Sequence, residues 1–395
     1  MAARRILLAW ELGAGLGHLM PMRLLAAALR QRGHRVFLAL RDLQSARRAL
    51  GDESLDLLQA PLLLGPPQRP VKLQLSYASL LHNCGFDSVA GLTGRLQAWR
   101  TLLQSLSIDA VVAVHAPTAL AAAGSLQVPA ATLGTGFVQP PAQTPLPAFF
   151  PEQGVGEPLL RRNEAIVLGV LNGALDELGS APLPDLASLL RRAHPALLSY
   201  PELDHYALAR PIPYLGQPDF SQGLPVRWGP RPEKRVFAYL RPFPGLHELL
   251  LALKNLKAQV LVHVGDLDPA RLKAYLRPGL VVSDSPAHLR QVAADCDAYV
   301  GYAPHGSTAE MLLAGKPCLL IPTNVERQLV ARRAEALGAA RVLPQSTGQD
   351  HAGALQSLLE DRALRQAAET FALRYAAQDR SRILEDWADD WLQRL

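Results

Sequence analysis

Apolar positions along this chain alternate between two rhythms. Short unbroken runs recur: RRILLAW from Arg4, RVFLAL from Arg35, IDAVVAVH from Ile108, PAATLG from Pro129, RVFAYL from Arg235, AQVLVHVG from Ala258, LVVSD from Leu280, AYVGY from Ala298 and PCLLIP from Pro317. Their β-branched and aliphatic content reads as strands buried on both faces. Most are separated by stretches of helical period, the first being PMRLLAAALRQRGH, where Gly33 serves as a C-terminal stop. Strand and helix in alternation predict βαβ units and parallel sheets covered by helices on both faces. No internal repeat of fixed short period interrupts the pattern.

A chain of 395 residues exceeds what one hydrophobic core usually serves, so two lobes are expected. The passage PIPYLGQPDFSQGLPVRWGPRP, Pro211 to Pro232, loses all periodicity and reads as the linker, with a boundary near 217/218. A second proline-rich stretch, GFVQPPAQTPLPAFFP from Gly136, is expected to wrap the first lobe beside its ligand. Residues are 49% hydrophobic and 19% charged, which suits a well-buried globular protein. No window approaches the roughly 20 apolar residues of a membrane span, and Glu11 with its neighbouring glycines breaks the N-terminal run before a signal-peptide core forms. A cytoplasmic protein is therefore expected. Cys84, Cys296 and Cys318 are widely spaced and form neither a disulfide framework nor a zinc pattern. The net charge of +5 is carried by dispersed arginines without aromatic interleaving, which argues against nucleic acid. It is compatible with peripheral contact to an anionic membrane or with a phosphate-bearing ligand.

Two stretches carry candidate chemistry. WELGAGLGHLMPM, Trp10 to Met22, follows the first strand; Gly15 and Gly17 allow a sharp turn and close ligand approach, with His18 at its mouth. GYAPHGSTAEMLLAGKPCLLIP runs from a strand through Gly306 into a helix expected to start near Ser307 and Thr308. Unbonded amides and the helix dipole at such a start favour phosphate. Glu310, expected in the first turn, is either a capping-box partner or an acceptor for ribose hydroxyls.

Four stretches together resemble the GT-B superfamily of nucleotide-sugar glycosyltransferases, most of all its UDP-glycosyltransferase branch and the bacterial peptidoglycan glucosaminyl transferases. They are GLGHLMPMRLLAAALRQRGHRV, ELDHYALARPIPYLGQP, SDSPAHLRQVAADCDAYV and STAEMLLAGKPCLLIPTNVERQLVARRAEALGAA. The resemblance implies an α/β fold of GT-B type, two doubly wound Rossmann-like domains facing across a cleft. Residues 1–217 would be the acceptor domain and 218–375 the donor domain, with 376–395 a helix crossing back to the first. It implies sugar transfer from a nucleotide-diphosphate donor, UDP-linked by this likeness, to a small-molecule or lipid-linked acceptor hydroxyl, inverting, without metal or other cofactor. His18 matches the general base, Glu310 the ribose-binding acid, and Gly306, Ser307 and Thr308 the phosphate-contacting turn. Pro286 and Ala287 match the segment meeting the base, while Glu326 and Gln328 match the loop reaching the donor sugar or ribose. Gly136, Phe137 and His115 fall in the acceptor walls.

Departures from the family pattern are as informative. Its HGGxGT is YAPHGST here, so Tyr302 replaces a phosphate-contacting histidine, Ala303 and Pro304 replace glycines, and His305 stands close enough to substitute. The acid that orients the catalytic histidine in the family is replaced by His115. Arg241, after RVFAYL, stands where it could clamp a pyrophosphate. GDLDP and ADCDA superficially match a metal-binding DxD, but read as a helix start and the approach to a strand. Histidine suits the base role because its ordinary pKa lies near neutrality. Two rival functions stay open: a non-catalytic nucleotide-binding partner of a transferase, and a nucleotide-sugar epimerase of the same fold.

Overall fold

The computed structural model describes residues 2–13, 15–50, 55–220, 223, 225–226, 228, 234–283 and 285–395. Parts of the linker reading (221–222, 224, 227 and 229–232), Ala14 of the glycine turn and Asp284 of the base-segment match lie outside the described residues. The chain forms two compact units, one of residues 1–200, 208–218 and 381–395, the other of 201–207 and 219–380.

In the first unit six strands lie in the order β3-β2-β1-β4-β5-β6. They are β1 (Arg5–Trp10), β2 (Arg35–Leu40), β3 (Asp56–Gln59), β4 (Ala110–Val114), β5 (Ala130–Gly134) and β6 (His194–Leu197), all parallel. The second unit holds β7 (Arg235–Leu240), β8 (Gln259–Val264), β9 (Leu280–Val282), β10 (Ala298–Gly301), β11 (Cys318–Leu320) and β12 (Ala340–Val342). Its order is β12-β11-β10-β7-β8-β9, again all parallel. Counted within its own unit, each sheet has strand order 3-2-1-4-5-6, the doubly wound Rossmann arrangement. The order reverses between β1 and β4 in one unit and between β7 and β10 in the other. Crossovers leave a crevice at the carboxyl ends of those strands.

The short edge strands β3, β6 and β12 were not among the expected ones. Three or four residues give too little periodicity, and β6 begins His194-Pro195, a proline that an edge strand tolerates. The helix Leu16–Gln31 also starts earlier than the expected Pro21. Gly15, at φ 92, caps it, so His18 lies in the first helical turn rather than in a loop. Pro21 is accommodated inside the helix close to its start.

The first unit's core stacks Ile6, Leu8 and Trp10 of β1 with Leu19, Met22 and Leu25 of that helix. The helix Ile383–Gln393 packs on it and adds Ile383, Leu384, Trp387, Ala388, Trp391 and Leu392 to the same core. Trp387 Nε1 donates to the Pro195 carbonyl at 3.0 Å, and Arg32 makes a forked pair with Asp389 at 2.5 and 2.7 Å. Among the described residues no helix is long and apolar enough to cross a membrane.

At the reversal point of this sheet Glu11, only 3% exposed, leaves the end of β1 and spans to the helix Pro117–Ser125 beyond β4. Its carboxyl accepts the Thr118 amide at 3.1 Å, the Ala119 amide at 3.3 Å and the Thr118 hydroxyl. A carboxylate on unbonded amides of a helix start is favoured by the dipole. The backbone alongside is joined as well, Leu12 N–H donating to the His115 carbonyl at 2.9 Å. Burial nevertheless dominates, and pushes the Glu11 carboxyl up to about 7 against the pull of those hydrogen bonds.

Because Glu11 holds its proton more tightly folded than unfolded, its stabilising contribution is complete below about 4.5 and is lost as pH rises through about 7. The loss is on the order of 3 kcal/mol. Urea titrations of Glu11→Gln across that window should show a flatter pH dependence than the parent chain; parallel curves would exclude Glu11 as the titrating group. Trp391→Ala should lower the first unit's unfolding free energy by about 3–5 kcal/mol in the same assay, the usual cost of removing a fully buried indole.

Candidate active site

Each unit carries candidate residues at its own reversal crevice. In the first, His18 follows β1 and His115 follows β4, two strands that pair as far as Trp10 and Val114. The His18 ring stacks on Trp10 at 5.6 Å between centroids and lies 5.9 Å from His115. Its Nε2 covers Gly13, where a Cβ would stand 2.5 Å away; with φ 81, that position is closed to side chains on both counts. Tyr77 (6.0 Å) and Phe137 (6.3 Å, edge-on) enclose His115, and Phe137 stacks on Phe149 at 5.4 Å. The expected wrapping stretch thus delivers Phe137 to the histidine pair. Gly136 lies beside it, its carbonyl facing Arg210 Nη2 at 3.5 Å, while Arg210 Nη1 donates to Gln139 O at 2.5 Å.

His115 is the most unusual residue here. It is a non-glycine at φ 51, a conformation that L residues with bulky side chains rarely adopt. It is 6% exposed, and neither ring nitrogen has a hydrogen-bond partner among the described residues. Burial, with the neighbouring His18 and Arg41 acting in the same direction, holds its pKa well below the ordinary histidine value. The ring is therefore neutral, and cannot supply the negative charge of a carboxylate at that place. The buried carboxyl near this pair is that of Glu11, which the sequence reading did not single out as a site residue; it accepts helix amides, and burial raises it to about 7.

In the second unit Arg241 leaves β7 and Tyr302 leaves β10, again flanking the reversal. The guanidinium carbons of Arg241 and Arg327 each lie 5.5 Å from the Tyr302 ring centroid. Tyr239 meets the same ring edge-on at 5.1 Å. Arg241 pairs with Asp266, and Arg327 with Glu326 at 3.2 Å. Ala303, standing for a family glycine, keeps a left-handed backbone at φ 61.

The helix after β10 runs His305–Leu313 with Pro304 at its cap, two residues earlier than expected. Consequently Thr308 N–H already donates to Pro304 O at 2.9 Å, inside the helix, and Glu310 lies beyond the first turn. That excludes the capping-box role for Glu310. Its carboxylate, 7% exposed, is gripped instead by both terminal nitrogens of Arg380. Ser307 and Thr308 are buried, and Thr308 Oγ1 has no hydrogen-bond partner among the described residues. Next to Gly306, the His305 ring is buried and stacked on His205 at 5.5 Å; burial pushes its pKa down to about 4, so it is neutral.

Ala287 is buried and Pro286 exposed, and Gly223 approaches the Ala287 backbone so closely that any side chain at 223 would collide with it. Asn324 caps the helix Val325–Ala336 by accepting Arg327 N–H at 3.0 Å, which leaves Glu326 in the first turn and Gln328 exposed one turn on. Two of the DxD-like carboxylates are structural: Asp268 caps a short helix through Ala270 N–H, and Asp297 accepts Arg235 N–H at 2.9 Å, while Asp266 pairs with Arg241. Among the described residues no group of three or more His, Cys, Asp or Glu is disposed to hold a metal ion.

No protein-family model matches the chain, and no curated protein sequence matches it. Solved structures do. The calicheamicin glycosyltransferase CalG4 superposes with a TM-score of 0.73 over the whole of both chains at 20% identity. The glycosyltransferase VinC, solved in complex with dTDP, gives 0.68 over 97% of this chain and 100% of its own at 18% identity. SsfS6 of Streptomyces sp. SF2575, complexed with thymidine diphosphate, gives 0.60 over 98% and 99% at 19% identity. With its two six-stranded Rossmann-like sheets, the chain therefore has the GT-B fold, that of the nucleotide-sugar glycosyltransferases.

Proposed function

We propose that this chain is a glycosyltransferase that moves a sugar from a nucleoside-diphosphate donor, bound by the second unit, to an acceptor hydroxyl bound by the first. The observation that carries the reading is the complementary chemistry of the two reversal crevices. One presents a half-buried imidazole at a glycine-lined helix start; the other presents guanidinium groups beside a helix start. Displacement at an anomeric carbon requires both, a base for the attacking hydroxyl and positive potential for the departing diphosphate.

In this reading His18 Nε2 or Nδ1 takes the acceptor proton in a single, inverting displacement. Gly13, Trp10 and the helical first turn fix the ring. His115 stays neutral, so it positions by packing and by hydrogen bonding to a ligand, not by charge. On the donor side Glu310, fixed by Arg380, keeps carboxylate lone pairs for ribose hydroxyls. The Ala287 backbone meets the base, and Arg241 receives the diphosphate. With guanidinium groups to meet the leaving-group charge, the reaction calls for no metal. VinC and SsfS6 were solved with thymidine diphosphate, so donors linked to dTDP stand beside UDP as candidates. They differ at the 2′-hydroxyl that Glu310 would read.

The second reading, a nucleotide-binding partner without catalysis, is favoured by the neutral His115. Mass spectrometry of UDP- and dTDP-sugars incubated with an acceptor panel separates the two. Glycosylated product or donor hydrolysis supports transfer, nucleotide binding without either supports the partner, and an epimerised donor would mark an epimerase. His18→Ala should lower the transfer rate by about a hundredfold or more while nucleotide affinity by calorimetry changes less than about twofold. Equal losses in rate and nucleotide binding would remove His18 from the base role.

A further inference from the structure

We propose that Arg241 and Arg327 form a two-guanidinium clamp for the donor diphosphate around Tyr302, with Asp266 and Glu326 as resident counter-ions. The proposal rests on the donor-binding reading above and adds Arg327, which lies between Glu326 and Gln328 of the matched loop but carries no role in the family resemblance.

Both guanidinium carbons lie 5.5 Å from one phenol ring, so two cations, Arg241 at the exit of β7 and Arg327 in the helix Val325–Ala336 after β11, stand within twice that distance of each other beside the exit of β10. Like charges so placed are stable only with anions beside them. Each has one at present. Asp266, itself held at φ 62, pairs with Arg241, and Glu326 pairs with Arg327 at 3.2 Å. The two pairs differ in burial. Asp266 is 65% exposed, and such a surface pair is weak, so a doubly charged ligand displaces it readily. The Arg327 side chain is 17% exposed, and its Nε has no hydrogen-bond partner among the described residues. A guanidinium offers five donors, and a buried one left unused is costly. The fork of Arg327 is thus incompletely satisfied by Glu326 and fits the bidentate geometry of a phosphate.

A second group points the same way. Thr308 is fully buried in the first turn of the adjoining helix, and its hydroxyl lacks a partner among the described residues. Tyr302 contributes the ring face on which both guanidinium groups rest, a cation–π contact that fixes them without using their N–H donors. A clamp of this kind recognises the diphosphate and ignores the nucleoside.

Calorimetry with UDP, dTDP, inorganic pyrophosphate and uridine tests it, with thermal melts as a check on folding. Arg327→Gln should weaken UDP, dTDP and pyrophosphate by at least about tenfold and leave uridine unchanged. Arg327→Lys should recover only part of that loss, since an ammonium lacks the fork. Asp266→Asn should tighten pyrophosphate by about two- to fivefold by removing a competitor for Arg241. Folded Arg327→Gln with unchanged pyrophosphate affinity, or with UDP and uridine weakened alike, overturns the clamp while leaving the donor reading intact. Weaker pyrophosphate binding in Asp266→Asn overturns the counter-ion assignment. Failure of the parent chain to bind any of the nucleotides overturns the donor reading and the clamp together.

Discussion

Crossovers between parallel strands are almost always right-handed, so a sheet covered on both faces reverses its winding once. That single reversal is the constraint on which the rest of this molecule depends. It occurs between β1 and β4 in one unit and between β7 and β10 in the other. Successive crossovers leave for opposite faces there, which opens a crevice at the strand ends. His18 and His115 follow the first pair of strands, and Arg241 and Tyr302 follow the second. The backbone is strained at the matching places, with His115 at φ 51 and Ala303 at φ 61 just beyond β4 and β10. Non-glycine residues held in that region cost roughly 1–3 kcal/mol each, and the surrounding sheet must over-determine them.

The central strands and the glycine turns were legible in the sequence because their signals are long or chemically singular. Nine strands show as runs of β-branched residues, and Gly15 and Gly33 do end and begin regular structure with positive φ. What escaped was set by tertiary context. Edge strands β3, β6 and β12 borrow their conformation from a neighbour's hydrogen bonds, so their few residues need no pattern of their own. The helix at His305 begins at Pro304 because proline favours helix entry, a local signal overshadowed by the hydroxyl residues after it. The partners of functional groups were least legible of all. Arg380 meets Glu310 across 70 residues and Glu11 meets Thr118 across 107, separations over which no spacing rule operates.

Electrostatically the two crevices are opposites. In the first, burial discharges His115 and raises the Glu11 carboxyl to about 7. The second concentrates guanidinium groups and matches them one by one with carboxylates: Arg241 with Asp266, Arg327 with Glu326, Arg380 with Glu310. Such pairing offsets the repulsion among these cations, because each charge has a counterpart within the same unit. It also explains how Tyr302, Ala303 and Pro304 fit a place where the family carries a histidine and glycines. In the proposed reading, positive potential supplied by long side chains stands in for backbone amides at the diphosphate.

The helix Ile383–Gln393 belongs to the core that begins with Ile6. During synthesis this has a directional consequence. Trp387 and Trp391 complete the packing of β1 and the helix Leu16–Gln31, but they leave the ribosome after the whole of the second unit has been made. Domains ordinarily fold in the order in which they emerge. Here the unit that starts first must finish last, with its apolar groove between sheet and helix waiting for a partner some 350 residues downstream, as Arg32 waits for Asp389 across 357. The nascent first unit is therefore the aggregation-prone stage of this chain's life, and closing of the terminal helix is the event that ends it.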